Sequence, residues 1–541
     1  MVFALASLLL LQTQAPLPKT EPLLKSLGGF HRKVSTNSPI AQRYFDQGLV
    51  CLYVYHYRQA RRSFQQAIEA DPQCAMNYWG LAASYGPDIN FPSVDAESSQ
   101  TALAAIEKGI HAKNATPLER KLVLAEGMRF DPTGPIDRTA RNHVYADAMK
   151  ALYGIEPNDP DVASLYAEAL IDERPWKQWT LEGKPNPGTL DAIQALERTL
   201  KLNPIHPMGL HMYIHALEAS PHPEKALFAA DRLFNLLPEL GHAQHMPCHI
   251  YARTGCWPQA VKANLAAIAQ VDAYMRSRGV NPADSPRVDH YGEALAFAAS
   301  MRGQSALALG AVSLDGIPNE RLGKDFADLD GDLAAPLEIE QLFGKWDKIL
   351  STPAFGERLP VSETLRQGAR AVAFSATGDL KSAHEAYGQF KIWFEKIPAD
   401  KWDGVNYYRK VVEVESHLAL GEILIREQGH EPEGLAELKK AVECEDRLNY
   451  SEPPEWLMPT RHALGAAQLL FGKFSEALET FHENLRRNPN DGWATLGLAK
   501  AYRGLGRKKL AAATQAKFEM LWKDADVKIR TSCMCLDAEA K

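Results

Sequence analysis

Two pairs of histidines have the types and spacing to do chemistry. His211 and His215 are four residues apart, as are His245 and His249, and the second pair repeats the first 34 residues on. Side chains four apart on an α-helix share one face, one turn above the other. Two neighbouring helices carrying such pairs would therefore present four imidazoles to one place. His242, one turn before His245, adds a fifth. Seven of the 17 histidines fall between His206 and His249, far above an even spread over 541 residues.

Imidazole binds borderline transition metals through one ring nitrogen while the other donates to an outer acceptor. Packed helix axes lie about 8–10 Å apart, and a zinc–nitrogen bond is about 2.0–2.1 Å, so the side chains can bridge the gap around one ion. The predicted metal set is His211, His215, His245 and His249. With nitrogen donors, and Glu218 or Glu293 as an added oxygen, the candidates are zinc, copper, iron or nickel. Met208, Met212, Met246 and Cys248 favour copper only if their sulfurs turn inward. Two alternatives stand beside this: a buried polar network without metal, and direct recognition of an anionic or peptide ligand. If a metal keeps an open position, Glu218 or Glu168 is a candidate general base. His206 and His222 adjoin prolines in turns and read as structural. The sequence contains no phosphate loop, nucleophile elbow or His-Glu-x-x-His helix.

The elements that must position these residues are short paired helices. Counting from Ala41, the residues Tyr44, Gly48, Ala60, Phe64, Ala67 and Pro72 fall at positions 4, 8, 20, 24, 27 and 32. That is the tetratricopeptide (TPR) pattern: two antiparallel helices per repeat, small residues where they touch, and a proline ending the second. Units opening at Pro207, Gly241, Met458 and Gly492 place Ala226, Ala260, Ala477 and Ala511 at position 20. The predicted fold is all-α, a TPR-type helix-turn-helix repeat solenoid. Gly86–Pro92, Arg174–Gly188 and Asp315–Pro336 break the period and read as loops at the edges or over the concave face. Tyr450–Pro459 (YSEPPEWLMP) reads as a rigid connector that packs Trp456 on the next repeat. The expected organisation is a leader and linker over 1–27, an N-terminal solenoid with the histidine-rich segment over 28–340, and a C-terminal solenoid over 341–541.

These segments resemble a group of bacterial TPR-repeat proteins over almost the whole chain after about Leu27. The most specific stretches are His211–Ser220 (HMYIHALEAS), His242–Tyr251 (HAQHMPCHIY), YSEPPEWLMP and Arg486–Leu498 (RRNPNDGWATLGL). The chain departs at Cys248, where similar proteins usually carry serine, and at Glu293, where a second histidine is common. The resemblance implies the fold and singles out the histidine segments; it implies no reaction or substrate. In the TPR fold, positions 2, 5, 9, 12 and 13 line the concave groove. On this register His242 is position 2, His211 and His245 are 5, His215 and His249 are 9, Glu218 is 12 and Arg253 is 13. Glu218, His242, Arg253, His290 and Glu293 are accordingly the predicted ligand-groove residues.

Composition narrows the function classes. Hydrophobic content of 45% and charged content of 23% are ordinary for a globular protein. A net charge of −7 gives no basic footprint for nucleic acid. Seven scattered cysteines make no disulfide framework; Cys533 and Cys535 read as an unremarkable tail, with metal or redox chemistry the alternative. Val2–Leu11 followed by Thr13-Gln14-Ala15 resembles a signal peptide, although no Lys or Arg precedes the run. Export to the periplasm or beyond is the expected location, the cytoplasm the alternative, and no integral membrane span is expected. The functional expectation is a scaffold whose groove holds a protein or peptide partner. The alternative is a metal-binding TPR protein carrying zinc, copper or iron on the four histidines, with the question of an enzyme left open.

Overall fold

A computed structural model describes residues 20–131, 138–282, 289–315, 317–402 and 404–536. The signal-peptide-like run lies outside the described residues. Among those described, regular structure is helical, with isolated β-bridges and no strand. The chain divides into two compact units, Ala15–Ile250 with Leu265–Val280, and Tyr251–Asn264 with Asn281–Lys541. Each is built from antiparallel helix pairs of TPR type.

In the first unit Pro39–Tyr53 pairs with Tyr57–Ala70, Pro160–Asp172 with Thr189–Leu202, and Pro207–Glu218 with Leu227–Leu236. The first member of each pair starts by one device. A side chain accepts a backbone N–H of the first turn, and a proline follows at once: Ser38 with Pro39, Asp159 with Pro160, His206 with Pro207. The cap satisfies a donor that has no helical partner, and proline's fixed φ suits the first helical position. In the second unit Pro360–Thr377 pairs with Leu380–Phe394, Tyr408–Leu424 with Glu431–Asp446, Arg461–Leu470 with Phe474–Arg487, and Gly492–Gly504 with Lys508–Leu521.

The repeat pattern has a steric basis that both units share. Phe64, fully buried at position 24, fills space that a Cβ on Gly48 or Gly80 would invade, at 2.8 and 2.2 Å from the ring. Phe481 does the same between Gly465 and Gly497, at 2.4 and 2.2 Å. Burying such a side chain contributes roughly 1.5–3 kcal/mol, and the glycines let the ring reach both helices. In three units position 15 turns the chain between paired helices with a left-handed glycine: Gly255 (φ 70), Gly472 (φ 68) and Gly506 (φ 70). In the first repeat that position is Tyr55, at φ 57.

Asp315–Pro336 is not a bare loop: it holds the helix Asn319–Asp325 and two 3-10 turns. Leu322, Phe326 and Leu329 are buried and spaced four and three apart, so a helical apolar face outweighs the segment's Gly and Asp content.

Candidate metal centre

His211, His215 and Glu218 lie at i, i+4 and i+7 of the helix Pro207–Glu218, on one face. His242 and His245 lie on Gly241–His245, and His249 on Pro247–Arg253. Pro247 has no N–H to continue the α-helical ladder, and the chain tightens there, with His249 N–H donating to the Met246 carbonyl at 3.2 Å. His245 and His249 keep their common face across this break.

The five imidazoles form a closed loop. Ring centroids are 4.9 Å apart for His211–His215, 5.9 Å for His215–His249, 4.8 Å for His249–His245, 5.9 Å for His245–His242 and 5.0 Å for His242–His211. Nε2 of His211 is 3.2 Å from Nε2 of His242, and Nε2 of His245 is 2.8 Å from Nε2 of His249. Two nitrogens bound to one ion at about 2.0–2.1 Å stand roughly 2.9–3.4 Å apart for bond angles between right-angled and tetrahedral. All five side chains are buried; His242, the most exposed, reaches 8%.

The outer hydrogen bonds assign the tautomers. His211 Nδ1 lies 2.8 Å from the Tyr53 carbonyl oxygen, which can only accept, so Nδ1 carries the proton. His215 Nδ1–H donates to Glu218 Oε1 at 2.7 Å, and His249 Nδ1–H donates to Glu218 Oε2. Each of the three therefore keeps its lone pair on Nε2. His215 Nε2 is buried and has no hydrogen-bond partner. Burial alone would raise the Glu218 carboxyl, but His249 and His215 hold it down to about 2. Burial, followed by neighbouring imidazoles, pushes His211 and His242 well below the ordinary histidine value, so both are neutral and able to bind metal.

Aromatic side chains close around the imidazoles. Tyr55 lies edge-on to His211 at 4.6 Å and stacks on His242 at 5.7 Å and His215 at 6.3 Å. Trp176 meets His215 edge-to-face at 5.7 Å and, like Tyr55, has positive φ, at 61. The Arg174–Gly188 loop brings Trp176 there, fastened by Trp179 Nε1–H donating to the Ala216 carbonyl at 2.8 Å. Tyr53, whose carbonyl orients His211, is anchored through its hydroxyl to Asp161 at 2.6 Å. Asp161 also takes Arg32 and His206, the latter at 3.2 Å through Nε2. Met212 Sδ accepts the Tyr55 hydroxyl at 3.6 Å, while Cys248 Sγ lies 3.5 Å from His245 Nδ1.

Three donor groups have their ligating atoms within 4.8 Å of one another: His211 with His215 and His242, His245 with Cys248 and His249, and His215 with Glu218 and His249. The structure thus brings together the four paired histidines with His242 and Glu218, two of the residues assigned to an open groove. Glu218 uses both oxygens to orient imidazoles. Arg253, His290 and Glu293 belong to the other unit. Arg253 lies over the Tyr450 ring at 5.5 Å, and His290 and Glu293 line a cavity with Glu338 and Glu452. Burial, then the charges of Asp332 and Glu455, pushes the Glu293 carboxyl well up. Glu168 sits in a buried carboxyl cluster with Asp88 and Glu126, beside Arg129; burial pushes it up to about 8 against the pull of Arg129.

Sequence reasoning missed Tyr53, Tyr55, Trp176 and His56, whose Nε2 accepts the His242 N–H at 3.1 Å. One signal was present: Tyr55 occupies a repeat position that is glycine in the units opening at Gly241, Met458 and Gly492.

No protein-family model matches the chain, and no curated protein sequence matches it. Among solved structures, a human IFIT1 dimer with PPP-AAAA aligns at 12% identity and a TM-score of 0.32, over 93% of this chain and 98% of that one. The APC/C hetero-tetramer Cut9-Hcn1 aligns at 11% and 0.29, over 91% and 76%. The P58(IPK) TPR domain aligns at 12% and 0.21, over 87% and 99%. Likeness at this level carries no argument about function, and the fold rests on the chain's own helices. No helix among the described residues is long and apolar enough to cross a membrane.

Proposed function

We propose that the protein is a helical repeat scaffold that binds a transition-metal ion in the imidazole loop of its first unit. His211, His215 and His242 supply three nitrogens within 4.8 Å of one another, and His245 and His249 continue the loop beside them. Glu218 and the Tyr53 carbonyl hold the rings with Nε2 facing inward. The observation that carries this reading is His215 Nε2, a buried lone pair without a partner in a loop of imidazoles. Leaving such an acceptor unsatisfied costs about 1–3 kcal/mol, and a bound ion removes that cost. An all-nitrogen set with a carboxylate behind it suits zinc, copper(II) or iron. Burial of the five rings supports an ion as the ligand over a protein or peptide, which would need the histidines at a surface.

Elemental analysis of the untagged protein by mass spectrometry, beside a His211→Ala/His245→Ala variant, tests the site. The variant should carry one equivalent less of a transition metal while its circular dichroism stays helical. Equal metal content in two equally helical proteins would sink the reading.

A further inference from the structure

The second unit contains another convergence of ligating side chains, at the tail cysteines that the metal centre leaves unused. The 3-10 turn Met534–Leu536 packs on the helices Ala335–Leu342, Pro360–Thr377 and Arg461–Leu470. Arg426 donates to the Cys535 carbonyl, and the Ser532 hydroxyl donates to the His462 carbonyl at 3.0 Å, pinning the segment in place. Cys533 and Cys535 are both buried and joined as a disulfide. Their sulfurs and a carboxylate oxygen of Glu422 lie within 4.8 Å of one another. The same three residues and His462 line one cavity.

Two polar atoms of these residues are buried without partners: Glu422 Oε1 and His462 Nδ1. Glu422 is 0% and His462 1% exposed. Glu422 binds Arg426 through its other oxygen, Oε2, at 2.9 Å. His462 Nε2 lies 2.5 Å from Asp491 Oδ2, so Nε2 carries the proton and Nδ1 a bare lone pair. Asp491 is fixed in turn by the Asn484 amide at 2.6 Å and the Trp493 N–H at 2.9 Å, and the His462 ring stacks on Trp493 at 6.1 Å. A carboxylate holding one nitrogen of a histidine so that the other faces outward is the arrangement that prepares imidazole for a metal.

We propose that, with the disulfide reduced, Cys533, Cys535, Glu422 and His462 form a second metal site, for a zinc-class ion. Reduction by a phosphine supplies two electrons, and with two protons from water the disulfide becomes two thiols. Metal binding then releases both thiol protons as the thiolates take the ion. Two thiolates, an imidazole and a carboxylate are a four-ligand set suited to zinc. The proposal does not depend on the imidazole loop of the first unit.

Cobalt(II) is the probe, because thiolate ligation gives an intense near-ultraviolet charge-transfer band that nitrogen and oxygen ligands do not. The full chain is used with Cys248→Ser, which removes the thiol beside His245. After phosphine reduction, cobalt added beyond two equivalents, enough to fill the imidazole loop as well, should develop the band and zinc should bleach it. The oxidised protein should show none, and neither should Cys533→Ser/Cys535→Ser. His462→Ala and Glu422→Gln should each weaken cobalt binding about 10-fold or more. Absence of the band in the reduced protein, or its survival in the double serine variant, overturns the site. Unchanged affinity in His462→Ala or Glu422→Gln overturns the four-ligand assignment. Because oxidised and reduced forms of the same chain are compared, the outcome stands even if a serine variant folds poorly.

Discussion

Replacing Glu218 by glutamine tests the imidazole loop at its hinge. Glu218 is 1% exposed, and its two oxygens accept Nδ1–H from His215 and His249. A glutamine of the same shape offers one accepting oxygen and one NH2 group. One imidazole keeps its hydrogen bond, while the other faces a donor and must move its own proton from Nδ1 to Nε2. That ring then has no lone pair for the metal. Outer-sphere changes of this kind lower metal affinity about 10–100-fold, which is roughly 1.4–2.8 kcal/mol at 1.4 kcal/mol per tenfold. The metal-free protein should also lose a charge-assisted hydrogen bond worth about 1.5–3 kcal/mol. Zinc affinity is read at neutral pH by competition with a chelator of known strength, and circular dichroism is recorded on the same samples. Glu218→Gln with full helicity and an affinity within about twofold of the parent would refute the assignment of Glu218 as the orienting group.

Other consequences reach beyond the loop. Glu338 accepts the Leu457 N–H at 2.9 Å, and burial pushes its carboxyl up to about 8. Its stabilising contribution is complete below the unfolded value near 4.5 and is lost as pH rises through about 8. Glu338→Gln should therefore gain at least about 1 kcal/mol over the parent at pH 8 relative to pH 5, and parallel urea stabilities at both pH values would contradict this. Gly497→Ala places a methyl group 2.2 Å from Phe481 and should cost about 1–3 kcal/mol in chemical denaturation; a neutral result would show that the wedge is slack. Asp161→Asn removes one of the two carboxylates that hold Arg32, Asp159 remaining, and should cost about 1.5–3 kcal/mol in chemical denaturation. Asp161→Ala, which also removes the acceptor of the Tyr53 hydroxyl, should lower metal affinity as well; intact affinity would detach Tyr53 from the site.

The histidine spacing and the 34-residue period were legible because both follow from helix geometry: four residues make a shared face, and wedged Phe64 and Phe481 leave glycine and alanine marks at fixed positions. Which face looks at what was less legible. Register put Glu218, His242 and Arg253 on the groove face, and His290 and Glu293 were added to them; of the five, Glu218 and His242 lie with the histidines in the first unit, and Arg253, His290 and Glu293 lie in the second. Glu218 looked like a ligand because spacing places a carboxylate without showing that two Nδ1–H groups already claim its oxygens. Tyr55 left one trace, its place at a position that is glycine in three other units, while Trp176, in a loop outside the repeat period, left none. The tail cysteines were dismissed on position in the chain, which says nothing of the helices they fold back onto.

Tyr55 and Trp176 hold a further consequence, one of timing. A left-handed conformation in such residues costs roughly 1–2 kcal/mol each, and two of them press on the same loop of imidazoles. An ion bound among these imidazoles would lie against both rings, and we expect its residence time to follow the opening of the turn between Tyr53 and Tyr57. The occupant would then record which ion was present as the chain folded, long after the surroundings had changed. Isotope exchange of bound zinc should keep pace with amide hydrogen exchange at this turn, and Tyr55→Gly should quicken both; zinc exchange on a seconds timescale beneath a protected turn would show that the ion escapes by another route.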